Sequence, residues 1–283
     1  MELGIFLKVF ERQTLADRAQ AARASGFTNV HFDFAITHGK TLPLDLDETA
    51  VTEISETLSS AGLQVCSVEA TYNMAHPDPS VREEGNSALA CLIPFIPLLG
   101  TNLLGICTGS RDDNMWKRHP ENGSDTAWKD LRSSVSVVAE VAEAHNVKLC
   151  IECEYNNVID TAARARRLID EVGSSSLAVA LDAANLIPPG RLGDQRQLLP
   201  EAFDLLAPNI VLAHAKDELD DGTFVPAGSG GVDYDLFANL LVEYDFGGTL
   251  VLHGLMEAEV PQSRDFVQRA ITDAEQNVRS TSL

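Results

Sequence analysis

Four side chains that could bind a metal ion or move protons stand near the ends of short apolar runs in the second half of the chain: Glu152, Asp182, His214 and His253. Alternate side chains of a β-strand face the same side, so these four could all point inward at one end of a closed sheet. Carboxylates and imidazoles gathered there would repel one another or stay unpaired without a cation. A divalent metal ion is one compensation. A network of salt bridges and hydrogen bonds with Lys216 is the other.

Two more polar residues share strand faces with the first four. Glu154 follows Glu152 on one run, and Lys216 follows His214 on another. Glu154 is a candidate substrate contact. Lys216 is expected either to bind a substrate oxygen or to neutralise Glu154.

A long loop around position 110 offers further substrate contacts, because long loops often carry function. Arg111 could hold an oxyanion or carboxylate, and Trp116 could form a wall against a sugar. The alternative is a loop anchored by a buried Trp and an exposed Arg. His76, before Pro77, could touch substrate or cap a turn.

Eight short apolar runs, whose starts are 26 to 44 residues apart, must position these side chains. Continuous apolar strands are typical of a parallel sheet that is buried on both faces. The runs are Leu3–Leu7, Asn29–Phe34, Leu63–Val68, Leu103–Cys107, Val147–Cys153, Leu177–Asp182, Ile210–His214 and Thr249–His253.

Helical patterns separate the runs. One buried helix face is predicted at Trp128, Leu131, Val135, Val138 and Ala142, which follow the i, i+3, i+4 rhythm. A second helix is predicted over Thr161–Val172, with Asp160 as its N-cap and Gly173 as its stop.

Eight strand–helix units without a Pro/Gly/Ser-rich linker predict one (β/α)₈ TIM barrel over residues 1–283, an α/β fold for which about 250 residues is typical. The alternative is a doubly wound open sheet, which is disfavoured because no G-x-G-x-x-G follows the first strand.

The composition excludes several kinds of partner. The formal net charge of −21 argues against nucleic acid and against an anionic membrane surface. No apolar run approaches the roughly 20 residues that cross a bilayer, and the first ten residues do not form a signal peptide. A cytoplasmic protein with a small-molecule partner is expected, and a homo-oligomer is left open.

Three further patterns have structural interpretations. Gly228, Gly230 and Gly231 lack the Lys-Ser/Thr of a phosphate-binding loop and are predicted to form a turn that covers the site. The acidic run Asp217–Asp221 is predicted to be a solvated loop. His31 is predicted to be a packing or surface residue.

Seven segments carry a resemblance to a known family: ASGFTNVHFD (24–33), NMAHPD (73–78), CTGSR (107–111), CIECE (150–154), ALDAANL (180–186), AHAKD (213–217) and PAGSGGVD (226–233). Their order and spacing resemble the xylose-isomerase-like TIM-barrel superfamily across nearly the whole chain, and its sugar phosphate isomerase/epimerase group most. This superfamily includes sugar isomerases and epimerases, hydroxypyruvate isomerase, inosose dehydratase and apurinic endonucleases.

The resemblance implies a metal site. Glu152, Asp182 and His214 match three of the family's ligands, but His253 stands where the fourth is usually a Glu. Glu257, one helical turn further on, is a reserve ligand. One Mn²⁺ or Zn²⁺ ion is expected, because mixed carboxylate and imidazole ligands suit these ions better than Ca²⁺.

The resemblance also implies a reaction. The family's epimerases use the strand-five and strand-eight glutamates as opposed acid and base, and the second is missing here. Glu152 is the expected base, with Glu154 or Glu257 in its place if a free group is required. Arg111 and Lys216 would orient the far end of the substrate.

The expected activity is isomerisation or epimerisation of a small ketose or keto acid by proton transfer next to a carbonyl. The first alternative is a dehydratase of a keto-inositol or related polyol. The second is apurinic-site DNA cleavage, which the acidic charge disfavours, and the third is a non-catalytic ligand-binding barrel.

Overall fold

Eight parallel strands close into a barrel in the computed structural model, which describes residues 1–281 and the side chains of residues 1–277. Two short antiparallel strands, β8 and β9, form a separate hairpin after the seventh barrel strand. The strands are β1 (Glu2–Phe6), β2 (Asn29–Phe32), β3 (Gln64–Glu69), β4 (Leu103–Cys107), β5 (Lys148–Glu152), β6 (Leu177–Asp182), β7 (Ile210–Ala215), β8 (Asp217–Glu218), β9 (Phe224–Val225) and β10 (Thr249–Leu252).

The predicted (β/α)₈ barrel is confirmed, and each of the eight apolar runs overlaps one barrel strand. β1 pairs with β2 on one side and with β10 on the other. This closure excludes the doubly wound open sheet. One domain over residues 1–283 stays a prediction, and residues 282 and 283 lie outside the described part.

Helices connect the strands. They are α1 (Leu15–Ala24), α2 (Ala35–His38), α3 (Glu48–Ser60), α4 (Pro79–Leu92), α5 (Asp125–Ala144), α6 (Ala162–Val172), α7 (Ala183–Leu186), α8 (Gln195–Leu206), α9 (Tyr234–Glu243) and α10 (Val260–Thr281), with 3₁₀ turns at Leu7–Val9, Ile93–Leu99, Pro120–Gly123, Leu192–Asp194, Ala207–Asn209 and Glu257–Glu259. Among the described residues, no helix has the length and hydropathy that a membrane crossing requires.

Local sequence signals account for where the helices begin and end. The predicted buried face of α5 is confirmed, and Gly173 ends α6 with a left-handed φ of 67°. The N-cap of α6 is Thr161 and not Asp160, because the Thr161 hydroxyl accepts the hydrogen bond from the Arg164 amide. The Asp160 carboxylate instead forms an ion pair with Arg118.

The barrel interior is apolar below the polar strand ends. Phe6, Cys150, Ala178, Ala180, Leu212 and Val251 form one buried cluster there. The alternate residues of β6, Leu177, Val179 and Leu181, pack in the larger outer core. Small residues inside β6 and bulky ones outside agree with the predicted face assignment, so Asp182 ends the inward-facing row.

The β8–β9 hairpin is fastened to a glycine turn by Asp217. Its carboxylate accepts hydrogen bonds from the amides of Gly228 (3.1 Å), Val232 (2.9 Å) and Glu218 (2.9 Å). A Cβ atom on Gly230 would clash with this carboxylate. The prediction of a solvated loop is therefore wrong for Asp217 and Glu218, which are 1% and 0% exposed, because the hairpin and the turn bury them.

Candidate active site

The four candidate ligand residues meet at the carboxyl ends of four adjacent strands. Glu152 and Asp182 are the last residues of β5 and β6, His214 lies near the end of β7, and His253 directly follows β10. The strand register places Asp182 beside His214. One ligand atom from each of the four side chains lies within 4.8 Å of the others, so the strand alternation correctly predicted this convergence.

Each carboxylate of this cluster is paired with an imidazole. The Nδ1 atom of His214 lies 3.2 Å from Oε1 of Glu152, and Nε2 of His253 lies 3.0 Å from Oδ2 of Asp182. The ring centroids of the two histidines are 4.8 Å apart. The pairs therefore hold the four side chains together through hydrogen bonds.

Asn185 links the two halves of the site. The Asp182 carboxylate caps the short helix α7 by accepting from the Ala184 amide (2.9 Å), and this turn presents Asn185. The Asn185 side chain donates to Oε1 of Glu152 (2.5 Å) and accepts from Nζ of Lys216 (2.7 Å). Sequence reasoning gave Asn185 no role, although its spacing of three residues from Asp182 places it one helical turn away.

Burial and charge together set the protonation of the cluster. Burial alone would raise the pKa values of both carboxyl groups. The charge of His214 holds the pKa of Glu152 below its usual range, and the charge of Lys216 does the same for Asp182. Burial lowers the pKa of His253. For His214, burial is opposed by the Glu152 charge, and the pKa is raised. At neutral pH, Glu152 and Asp182 are therefore ionised and the imidazole of His253 is neutral.

This donor set fits one divalent cation. Two carboxylate oxygens and two imidazole nitrogens suit Zn²⁺ and other transition metals better than Ca²⁺. The four ligand atoms lie within 4.8 Å of one another, close enough for one cation to be held by all four after a small inward movement of the side chains. His214 would bind only as the neutral imidazole, because its proton and the metal ion compete for the ring nitrogen.

Lys216 and Glu154 lie beside the cluster. The Lys216 ammonium is 3.5 Å from Oδ2 of Asp182 and 3.8 Å from the ring centroid of Phe224. Burial opposes its charge, but the surrounding carboxylates, Asp182 first among them, raise its pKa. Glu154 is buried, and this burial raises its pKa to about 7.

A third carboxylate–imidazole pair, which sequence reasoning missed, lies on β2 and β3. Nε2 of His31 is 3.1 Å from Oε2 of Glu69, and Nδ1 is 2.6 Å from Oγ of Ser67. The His31 ring contacts the His214 ring at 5.9 Å between centroids. Burial works to raise the pKa of Glu69, but the hydrogen bond and charge of His31 hold it at about 2. His31 is therefore buried and paired.

The loop residues that were predicted to bind substrate have protein partners. Arg111 donates to Oδ2 of Asp130 (2.7 Å) and to the carbonyl of Ala75 (3.0 Å), and its side chain is 8% exposed. His76 lies 3.2 Å from Asp113 and accepts from the Asp78 amide. The loop is therefore anchored, but by a buried Arg111, whereas the structural alternative expected a buried Trp and an exposed Arg.

Trp116 and Glu257 lie at the surface. Trp116 is 49% exposed. The structure does not bring Glu257 to the cluster, because its two oxygens accept from the Arg12 guanidinium at 2.6 and 2.8 Å. As a ligand or base, Glu257 would first have to leave that ion pair.

A cavity of about 720 Å³ opens beside the cluster, between the ends of β1 and β10 and the hairpin. Phe6, Phe224 and Gly254 line its inner part. The Phe224 ring contacts the Lys216 ammonium, and Gly254 directly follows His253. The cavity therefore adjoins residues that contact or neighbour Lys216 and His253, although none of the four cluster residues lines it.

Residues 19–275 match the family described as the xylose isomerase-like TIM barrel. The chain belongs to this family. The match spans most of the barrel, including all four residues of the cluster, and confirms the resemblance seen in the sequence.

The proteins that this chain is similar to differ in their named activities. The inosose dehydratase of Salmonella typhimurium is 21% identical over 166 residues, which are 52% of this chain and 53% of that protein. The chain thus matches about half the length of this curated relative. The fold of this chain is similar to that of an L-ribulose 3-epimerase. The TM-score is 0.79 at 18% identity, over 100% of this chain and 99% of the epimerase. A xylose isomerase-like TIM-barrel protein from Mycobacterium smegmatis in complex with magnesium gives a TM-score of 0.70 at 16% identity, over 96% and 97% of the chains.

Proposed function

We propose that this xylose isomerase-like barrel is a metal-dependent isomerase or epimerase that moves a proton next to the carbonyl of a small polyhydroxy ketone. The observation that carries the proposal is the position of Glu152. This carboxylate lies inside the cluster, accepts from Asn185 and His214, and is held ionised. An ionised carboxylate fixed by two donors is suited to take a proton from carbon.

One divalent cation, held by Glu152, Asp182, His214 and His253, would polarise the substrate carbonyl and acidify the neighbouring C–H. Mn²⁺ or Zn²⁺ remains the expected ion. Glu152 takes the proton, and the electron pair of the broken C–H bond moves into the enediolate. Return of the proton from Glu152 to the other carbon gives the isomer. Delivery of a proton from water to the opposite face of the same carbon gives the epimer, and Glu152 then releases its proton to solvent.

The charges around the cluster favour an uncharged substrate over a keto acid. Each of the described cations that lie by the cluster, the cavity or the anchored loop already has a carboxylate partner within 3.5 Å, whereas Glu154 and Glu218 bury carboxyl groups nearby. A phosphate or carboxylate on the substrate would find no free cation there. The pairs are Lys216–Asp182, Lys8–Asp33, Arg12–Glu257, Arg111–Asp130, Arg82–Asp130, Lys117–Asp112 and Arg118–Asp160.

A dehydratase is the second candidate, and the similarity to an inosose dehydratase favours it. Proton removal next to the carbonyl is the same first step. The enediolate then expels hydroxide from the next carbon instead of taking back a proton. Keto-inositols and related polyols would be the substrates.

Elemental analysis followed by a solvent-deuterium exchange screen tests the proposal. The metal-loaded protein would be incubated in deuterated water with D-fructose, D-tagatose, L-ribulose, hydroxypyruvate and a keto-inositol. Deuterium at the carbon next to the carbonyl, with a new ketose, supports the isomerase or epimerase, and loss of water supports the dehydratase. If no substrate exchanges or dehydrates, the protein is a non-catalytic ligand-binding barrel.

A further inference from the structure

Glu218 carries a buried carboxylate without a hydrogen-bond partner. The residue is 0% exposed, and neither carboxylate oxygen forms a hydrogen bond within the described part of the chain. Burial raises the pKa of this group to about 7. Buried polar groups are nearly always hydrogen-bonded, and an unpaired buried carboxylate is destabilising. Glu218 therefore has no partner in this structure, and a different arrangement of the neighbouring side chains could give it one.

The side chain of Glu218 faces the cluster. Asp217, one residue earlier, points to the glycine turn, so strand alternation turns Glu218 toward the Lys216 side. Lys216 exerts the strongest attraction on the Glu218 carboxylate, and Asp182 the strongest repulsion. Glu218 also pairs in the hairpin with Phe224, the residue whose ring lies against the Lys216 ammonium.

A metal ion bound to Asp182 would disturb the contact between Lys216 and the Asp182 carboxylate. Its ammonium lies 3.5 Å from Oδ2 of Asp182, the same oxygen that His253 contacts. A divalent cation on Asp182 would compete for this carboxylate and repel the ammonium. Lysine has a flexible four-carbon stem, and the one side-chain hydrogen bond of the Lys216 ammonium in the described part of the chain is the bond to Asn185.

We propose that Glu218 is the second partner of Lys216: when a divalent cation takes Asp182, the Lys216 ammonium turns to the Glu218 carboxylate. Glu218 is then a positioning residue that acts on the metal through Lys216. The inference rests on the metal site of the proposed function and not on its sugar chemistry. It explains why a carboxylate without a partner is kept so close to the cluster.

Mn²⁺ titration and thermal unfolding of the full-length protein test the inference. Glu218→Gln should raise the melting temperature of the metal-free protein, because the unpaired carboxylate is gone. The same variant should weaken Mn²⁺ binding about tenfold, the usual size of an outer-shell effect. Asp220→Asn is the matched control, since it removes an equal charge from an exposed site on the same hairpin. The inference is overturned if Glu218→Gln and Asp220→Asn have the same Mn²⁺ affinity and melting temperature. It is also overturned if Glu218→Gln melts below wild type without metal.

A double variant separates an effect through Lys216 from a direct charge effect. In a Lys216→Met background, Glu218→Gln should leave Mn²⁺ affinity unchanged. An undiminished tenfold loss there would overturn the inference, because Glu218 would then act on the cation directly. Wild-type protein that binds no divalent cation would overturn it as well. Normal metal behaviour without substrate exchange would instead refute only the sugar chemistry.

Discussion

The Nε2 atom of His253 lies 3.0 Å from Oδ2 of Asp182, so an imidazole faces a carboxylate where the family resemblance leads one to expect a second carboxylate. A glutamate there would face Asp182 with like charge. The histidine instead donates a hydrogen bond and, with its pKa lowered by burial, adds no charge. Each carboxylate of the cluster therefore has an imidazole partner.

His253→Glu should destabilise the metal-free protein and tighten metal binding. The substitution removes the imidazole partner of the buried Asp182 and places a like charge beside it, which costs about 3–5 kcal/mol, and a divalent cation would compensate both carboxylates. Denaturant unfolding with and without Mn²⁺ measures both effects. His145→Glu, at the exposed C-cap position of α5, controls for the added charge; equal stability losses in the two variants would contradict the prediction.

Glu152→Gln should lower the rate of solvent-deuterium exchange into a substrate by about 10²–10⁴-fold, the range for loss of a general base. The amide keeps the shape of the side chain but cannot take a proton. Exchange is measured by NMR at a metal occupancy matched to wild type, with the surface variant Glu201→Gln as control. Retention of exchange in Glu152→Gln would move the base to Glu154.

Glu257→Gln should affect stability by no more than about 1 kcal/mol, because its ion pair with Arg12 is half-exposed. Metal content and exchange rate should stay near wild type, since the carboxylate is engaged at the barrel rim. Atomic absorption and the same NMR assay check both quantities. A loss of either one would restore Glu257 as a ligand or base.

The stability advantage of Glu218→Gln over wild type, without metal, should grow as pH rises. The folded-state pKa of Glu218, about 7, lies above the usual value of a free glutamate. Folded protein therefore binds this proton more tightly than unfolded protein. The resulting stability is fully present below about pH 4.5 and is lost as pH rises through 7. Denaturant unfolding at pH 5 and pH 8 should show the difference widening, and equal differences at both values would contradict it.

Arg111→Ala should lower the free energy of unfolding by about 1–3 kcal/mol without raising the KM of any substrate found in the screen. The arginine is tied to Asp130 and to the Ala75 carbonyl. Asp130→Asn should cause a similar loss, and the double variant should lose less than the sum. A raised KM with unchanged stability would support the substrate-binding role expected from the sequence.

The barrel and its metal-ligand candidates were predictable because both follow from regular patterns. Apolar runs buried on both faces mark parallel strands, and alternation along β6 places Asp182 on the inner face. Pairs between strands were not predictable in the same way. The His31–Glu69 pair depends on the β2–β3 register, which shifts between Val30 and His31.

The burial of Glu218 could not be read from its surroundings in the sequence. Acidic residues in succession usually mark a solvated loop, and the exposed Asp220 follows this rule. Glu218 departs from it because the hairpin and a glycine turn about ten residues later cover it. Such burial depends on tertiary packing and not on local composition.

The three backbone amides held by Asp217 have a consequence for protein engineering. The Asp217 carboxylate binds backbone amides in β8 and in the glycine turn, at the two ends of the segment that contains the hairpin. The hairpin tip at residues 219–221 is exposed. Segments of different length or sequence could be grafted between Glu218 and Phe224 while His214 and Lys216 stay in place. The hairpin tip is thus a site where the chain could be lengthened, and a library of tip insertions would test how far this surface can change while the Glu152, Asp182, His214 and His253 side chains keep their positions.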